Sequence, residues 1–214
     1  MNSFNIIITG GGTGGHLFPA IAIGEEIKNQ MPDANIHYIG SVYGLESKVF
    51  PIKDLAHTLL PIKGLQRGFN IKGLLKNLIL PFRIMSSIIK VRSLYKDFKP
   101  RLIIGTGGYA SAIPLFVASN INPKVPIILQ EQNSYPGLTT RLFANKAKKI
   151  CVAFDYENIK LKQKIEITGN PIRNNIKSDN KNKAFKDLQL NKNKNTLIVF
   201  GGSQGSSFLN KLIE

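Results

Sequence analysis

Tryptophan is absent from this 214-residue chain, cysteine occurs once, and 13 acidic residues face 29 lysines and arginines. The lone Cys151 excludes an internal disulfide framework and suits a reducing compartment. No stretch supplies eighteen uninterrupted apolar residues, so nothing reads as membrane-spanning. The start "MNSF" lacks the positive n-region of a signal peptide. The expectation from these absences is a cytoplasmic protein. Acid is scarce unevenly: residues 55 to 96 hold 8 basic and no acidic groups, half of the formal net charge of +16. Diffuse positive charge serves nucleic acid or an anionic membrane equally well. A basic motif interleaved with aromatics, such as an RNP sequence, is missing, which argues against nucleic acid.

Glycine, by contrast, is concentrated where apolar runs end. "NIIIT", "NIHYIG", "RLIIGT" and "PIILQE" are short β-rich runs, separated by segments of helical period such as "HLFPAIAIGEEIKNQ" and "LLKNLILPFRIMSSIIKVRSLYKDF". Strands alternating with helices predict βα units around a parallel sheet, an α/β Rossmann-like fold with helices on both faces. After "KKICVAF" and "IEITGNPIR" comes an Asn/Lys-rich stretch, then a further strand "TLIVFGG" and a helix start "SQGSSFLNKLIE". This pattern predicts one domain over residues 1–167, with 168–214 forming a linker and the opening of a second, truncated domain.

Three strand-to-helix turns are glycine-rich: "IIITGGGTGG", "LIIGTGGYAS" and "LIVFGGSQGSS". Each would present bare amides at a helix N-terminus, where the dipole amounts to roughly half a positive charge. The first matches G-x-G-x-x-G through Gly10, Gly12 and Gly15, so an NAD(P)-dependent oxidoreductase is one reading. That fingerprint expects an acid at the end of the second strand, whereas "NIHYIG" runs into Ser41 and Val42, with Glu46 only later. A Walker loop also fails, because His16 and Leu17 stand where Lys and Ser/Thr would bind phosphate and magnesium. A backbone-lined anion site beside an imidazole survives. On this reading Gly10 to Gly15 are bare so that a sugar or diphosphate can lie against naked amides.

The motifs "GGGTGGHLFPA", "GTGGYAS", "EQNSYPGLTTRLFA", "GNPIR" and "GGSQGSSFLN", in this order and spacing, resemble the bacterial undecaprenyldiphospho-muramoylpentapeptide N-acetylglucosaminyltransferases of peptidoglycan synthesis. The resemblance implies a GT-B architecture of two facing Rossmann-like domains, with acceptor held mainly by the first and nucleotide by the second. It implies UDP-N-acetylglucosamine as donor and undecaprenyl-pyrophosphoryl-muramoylpentapeptide as acceptor, whose 4-hydroxyl displaces UDP with inversion. His16 is the first candidate base, because an imidazole of near-neutral pKa suits proton removal at pH 7. Glu131, at the C-terminal end of a strand, is the second, or else orients the acceptor. Family matching assigns Thr13, Gly14, Gly15 and Asn133 to the donor sugar, Arg173 and Ser203 to the donor nucleotide, and Tyr109 with Gly107 and Gly108 to the acceptor side. His37, in a strand, and His57, in a loop, have no comparable setting. No D-x-D occurs, so no metal is indicated and no cofactor is expected; helix dipoles would stand in for the cation.

The acid-free window has an apolar stripe at helical spacing, with Pro81 expected to break or kink it. Leu75, Ile79 and Phe82 with Lys72, Lys76 and Arg83 make a polybasic, partly apolar surface. Such a surface adsorbs to anionic lipid at about 1 kcal/mol per Lys or Arg near it. An acceptor on a polyprenyl carrier would then be met at the cytoplasmic face of the inner membrane by a peripheral protein.

Overall fold

The computed structural model describes residues 4–64, 79–155, 164–173, 181–199 and 207–213. Two compact units divide the chain, Met1–Arg173 and Asn174–Glu214.

The first unit is a seven-stranded parallel sheet in the order β3-β2-β1-β4-β5-β6-β7. Its strands are β1 (Asn5–Thr9), β2 (Asn35–Ser41), β3 (His57–Leu60), β4 (Leu102–Gly105), β5 (Ile127–Glu131), β6 (Lys149–Val152) and β7 (Ile165–Ile167). The apolar runs are continuous because both faces are covered. In β1, Ile6 and Ile8 enter one core with Leu17, Ile21 and Phe50, while Ile7 enters the other with Val91, Leu115 and Leu129. Each such side chain, fully buried, contributes about 1.5–3 kcal/mol. Helices α1 (Gly14–Gln30) and α2 (Glu46–Ile52) therefore cover one face. On the other lie α3 (Leu80–Phe98), α4 (Tyr109–Asn120) and α5 (Leu138–Phe143).

Several local expectations change. Pro81 stands in the first turn of α3, where its missing N–H costs nothing, and so starts that helix instead of kinking it. His57 opens β3, pairing with Tyr38; a run of only four residues carries too little pattern to read as a strand. In the second unit, helices α6 (Lys181–Asp187) and α7 (Ser207–Ile213) are present. Residues 196–199, expected to begin a strand, form none.

The register decides where chemistry can occur. Thr9 pairs with Gly105, so the turns after β1 and β4 leave the sheet side by side at its C-terminal end. Chain order reverses between these two strands, the switch point where open α/β sheets bind ligands.

Candidate active site

The two glycine turns are locked to each other. Thr106 N–H donates to Thr9 O at 2.9 Å, and the Thr106 hydroxyl donates to the His16 carbonyl at 2.7 Å. Gly11 N–H donates to Gly107 O at 3.4 Å, and the buried Ser111 hydroxyl lies 2.7 Å from Gly107 O and 3.0 Å from Thr9 O. This packing corrects the expectation that Gly10 to Gly15 are bare for a ligand alone. A Cβ on Gly10 would strike Thr106, and one on Gly11 the carboxylate of Glu46. On Gly12, at φ +89°, a Cβ would come within 2.5 Å of the Tyr109 ring, and on Gly14 within 3.2 Å of Phe18. At Gly15 it would meet only Thr13 Oγ1, at 3.8 Å. Most of the missing side chains thus make room for the protein itself, and Gly15 is the exception.

His16 sits in the first turn of α1. Thr13, the N-cap in extended conformation, does not cap the helix with its side chain; its Oγ1 is 3.0 Å from His16 Nδ1. The imidazole lies over the second turn, with Cδ2 and Nε2 at 2.7 and 3.1 Å from where a Cβ on Gly107 would stand. Gly107 holds φ at +98°, so a side chain there would be strained as well as crowded. Burial lowers the imidazole pKa from its ordinary value, and the negative charges of Glu131 and Glu46 oppose that drop without reversing it. At pH 7 the ring is neutral, the state a base requires.

Glu131 is 3% exposed and fully engaged. Its Oε2 accepts from the Thr140 hydroxyl at 2.6 Å and Gly137 N–H at 2.9 Å. Its Oε1 accepts from Asn133 Nδ2 at 2.8 Å and Asn133 N–H at 3.1 Å. Burial alone would push the carboxyl pKa up, but bonds from Thr140, Gly137 and Asn133 together hold it below the ordinary value. A carboxylate so engaged and acidified is a poor proton acceptor. Its geometry orders the loop from Glu131 to Thr140 and orients Asn133, which is exposed.

Tyr109 packs its ring between Gly12 and Gly64. Burial raises its phenol pKa, opposed by a hydrogen bond with Ser41 and reinforced by Glu46. Arg173 comes back to the same end of the sheet: its guanidinium lies over the Phe18 ring, 4.3 Å from the centroid. Phe18 in turn abuts Gly14, so a cation stands near the N-terminus of α1. Asn170 Nδ2 also donates to Gln132 O at 3.4 Å, fastening this segment to the loop after β5. The structure therefore gathers Thr13, Gly14, Gly15, His16, Gly107, Gly108, Tyr109, Glu131, Asn133 and Arg173 around one set of turns. Ser203 lies outside the described residues.

Glu46, which follows β2 at a distance in the sequence, belongs to the same constellation. It is the first residue of α2 and 0% exposed. Its two oxygens accept Gly12 N–H at 3.2 and 3.0 Å, and Oε1 also accepts Ser41 N–H at 2.8 Å. The signal available in the sequence was "IGSVYGLE": glycines at 40 and 44 ahead of an acid, each leaving space that Glu46 fills.

Of the surface residues, Ile79, Phe82 and Arg83 are described, with Phe82 77% exposed; Leu75, Lys72 and Lys76 lie outside the described residues. Met85 and Ile89 extend the exposed stripe along α3. Among the described residues no helix is long and apolar enough to cross a membrane, and no three His, Cys, Asp or Glu side chains gather as a metal site. A cavity of about 520 Å³ ringed by Lys124, Lys146, Lys148 and Lys164 opens at the N-terminal ends of β5 and β6, remote from the glycine turns.

Sheet order, switch-point turns and a histidine at a helix N-terminus together define a Rossmann-like lobe of the GT-B kind. Residues 6–152 match the model of the glycosyltransferase family 28 N-terminal domain, and the chain belongs to that family. It is 41% identical over 218 residues to the UDP-N-acetylglucosamine--N-acetylmuramyl-(pentapeptide) pyrophosphoryl-undecaprenol N-acetylglucosamine transferase of Flavobacterium psychrophilum, covering 100% of this chain and 57% of the relative. The protein of that name in Christiangramia forsetii is 42% identical over 212 residues, 98% of this chain and 56% of its own. The chain thus spans little more than half the length of the curated relatives it matches. Among solved structures, that of Acinetobacter baumannii MurG is similar at a TM-score of 0.61 and 21% identity, covering 79% of this chain and 46% of that one. A glycosyltransferase from Rickettsia africae superposes at 0.60 with 14% identity, over 90% of this chain and 51% of that one. These two likenesses bear on the fold.

Proposed function

We propose that this chain supplies the acceptor-side lobe of an inverting N-acetylglucosaminyltransferase. The donor is UDP-N-acetylglucosamine and the acceptor undecaprenyl-pyrophosphoryl-muramoylpentapeptide. The reading rests on one observation above all: the His16 imidazole is held between the two switch-point turns in a chain similar along its whole length to transferases named for that reaction. His16 takes the proton of the acceptor's 4-hydroxyl while that oxygen bonds to the anomeric carbon. The bond from the anomeric carbon to the UDP oxygen breaks, its electron pair leaves with UDP, and the configuration inverts. The imidazolium then returns its proton to solvent.

Glu131 acts in this scheme as a positioning residue, fixing Asn133 for the donor sugar and placing negative charge where His16 becomes positive. Arg173, stacked on Phe18, adds positive potential beside Gly14 and Gly15 for a diphosphate. Tyr109, Gly107 and Gly108 line the acceptor side. Phe82, Met85 and Ile89 with Arg83 and Lys90 on α3 dock the lobe peripherally on the anionic cytoplasmic leaflet, where a polyprenyl-linked acceptor lies. The oxidoreductase alternative is disfavoured by Glu46, whose buried carboxylate bonds Gly12 and Ser41 and is not available to a ribose.

The decisive assay uses a chain of the relatives' full length carrying this N-terminal sequence, with radiolabelled donor and lipid-linked acceptor. His16→Ala lowers kcat by about 10²- to 10⁴-fold, the usual contribution of a general base. Turnover equal to wild type rejects the role.

A further inference from the structure

Glu46 has a place in the first glycine turn that neither the family motifs nor the transfer scheme requires. In a glycine turn of the type G-x-G-x-x-G the backbone N–H groups serve a phosphate. Here the Gly12 N–H is already bonded to a full carboxylate, from both of its oxygens, and Gly11 N–H is turned to the carbonyl of Gly107. The carboxylate is not an accidental visitor. Gly11 in the first turn, and Gly40 and Gly44 in the stretch leading into α2, each leave open the space that Glu46 occupies. The residue is also held by Ser41 N–H at the end of β2, and none of it reaches solvent.

We infer that Glu46 is the resident anion of the first glycine turn: it holds Gly12 and Ser41 in place, bars a phosphate from Gly11 and Gly12, and confines ligand contact to Gly14 and Gly15. Two effects exclude a diphosphate from Gly11 and Gly12. The donor it would need is taken, and a fixed negative charge repels it across a short, water-poor distance. The same charge is one of the two that favour a proton on His16, so a single carboxylate both shapes the turn and supports the base.

This inference deepens the transferase reading and rests on it only in taking the ligand to be a diphosphate. Its test needs no turnover. The 214-residue chain is labelled with ¹⁵N and titrated with inorganic pyrophosphate and, separately, with UDP. In the unaltered chain the amide signals of Gly14 and Gly15 move and those of Gly11 and Gly12 stay. In Glu46→Gln an amide oxygen can still accept from Gly12 but the repelling charge is gone, so pyrophosphate binds about tenfold more tightly at Gly14 and Gly15. Hydrogen exchange at Gly12 in the unaltered chain is a second measurement that does not depend on the variant folding; the carboxylate bond requires protection above that of an open loop. Movement of Gly11 or Gly12 on adding pyrophosphate to the unaltered chain overturns the inference, as does unprotected exchange at Gly12. A folded Glu46→Gln that responds like the parent does the same. Loss of the transferase reading through His16→Ala would leave these signals untouched, so the two failures are distinguishable.

Discussion

Gly15→Ala separates the two reasons a glycine can be kept. Gly15 is exposed, lies in the first turn of α1, and has room for a Cβ, which would touch only Thr13 Oγ1 at 3.8 Å. Its backbone is helical, so alanine reduces the entropy lost on folding and stabilises by about 0.4–1 kcal/mol. For the unit Met1–Arg173 this raises Tm by about 1–4 °C. If the donor sugar lies against this amide, the added methyl overpacks the complex by about 1–3 kcal/mol, a fall in kcat/KM of about 5- to 150-fold. Thermal unfolding of the 214-residue chain gives the first number, and transfer kinetics at the relatives' full length give the second. A raised Tm with kcat/KM within twofold of wild type refutes the idea that a ligand approaches Gly15. A lowered Tm refutes the geometry on which the calculation stands.

The remaining predictions follow from the same contacts. Because burial lowers the pKa of His16, and a base must be unprotonated, kcat/KM rises with pH through a midpoint below the ordinary histidine value and is level by pH 7; a midpoint at or above that value contradicts the assignment. Glu131→Gln puts an amide NH₂ among donors and costs about 2–4 kcal/mol in urea unfolding. The same change moves the acid limb of the rate profile lower, since a charge favouring protonated His16 is gone. The stabilisation from Glu131 is complete above the ordinary carboxylate range and is lost as pH falls through its lowered folded value, so Glu131→Gln and wild type converge in stability in acid. Phe82→Ser with Met85→Ser weakens retention on anionic vesicles; binding that ignores both salt and lipid charge counts against the membrane face.

Much of the lobe could be read before its structure was known, for physical reasons that differ by element. β1, β4 and β5 announce themselves because strands buried on both faces must be continuously apolar, and α1 because Leu17, Ile21 and Gly24 repeat along one side. His16 stood out by its place after a glycine run. What glycine spelling cannot say is which atoms take the vacated space: Thr106 and Tyr109 come from the turn after β4 and Glu46 from the start of α2, and only the register of β1 on β4 brings Thr106 beside Gly10. Glu131 stands at a strand end in the sequence, but its partner Thr140 lies nine residues on, and the bond between them shows only in the fold. Glu46 stands too far beyond β2 for its role to show in the sequence, and the short helix it begins places it against Gly12.

His16 is gripped at two points, its carbonyl by the Thr106 hydroxyl and its ring by the bare face of Gly107. The turn after β1 and the turn after β4 are thereby keyed together through one residue, although their helices run down opposite sides of the sheet. A small molecule wedged into that seam would tilt the imidazole and its own backbone at once.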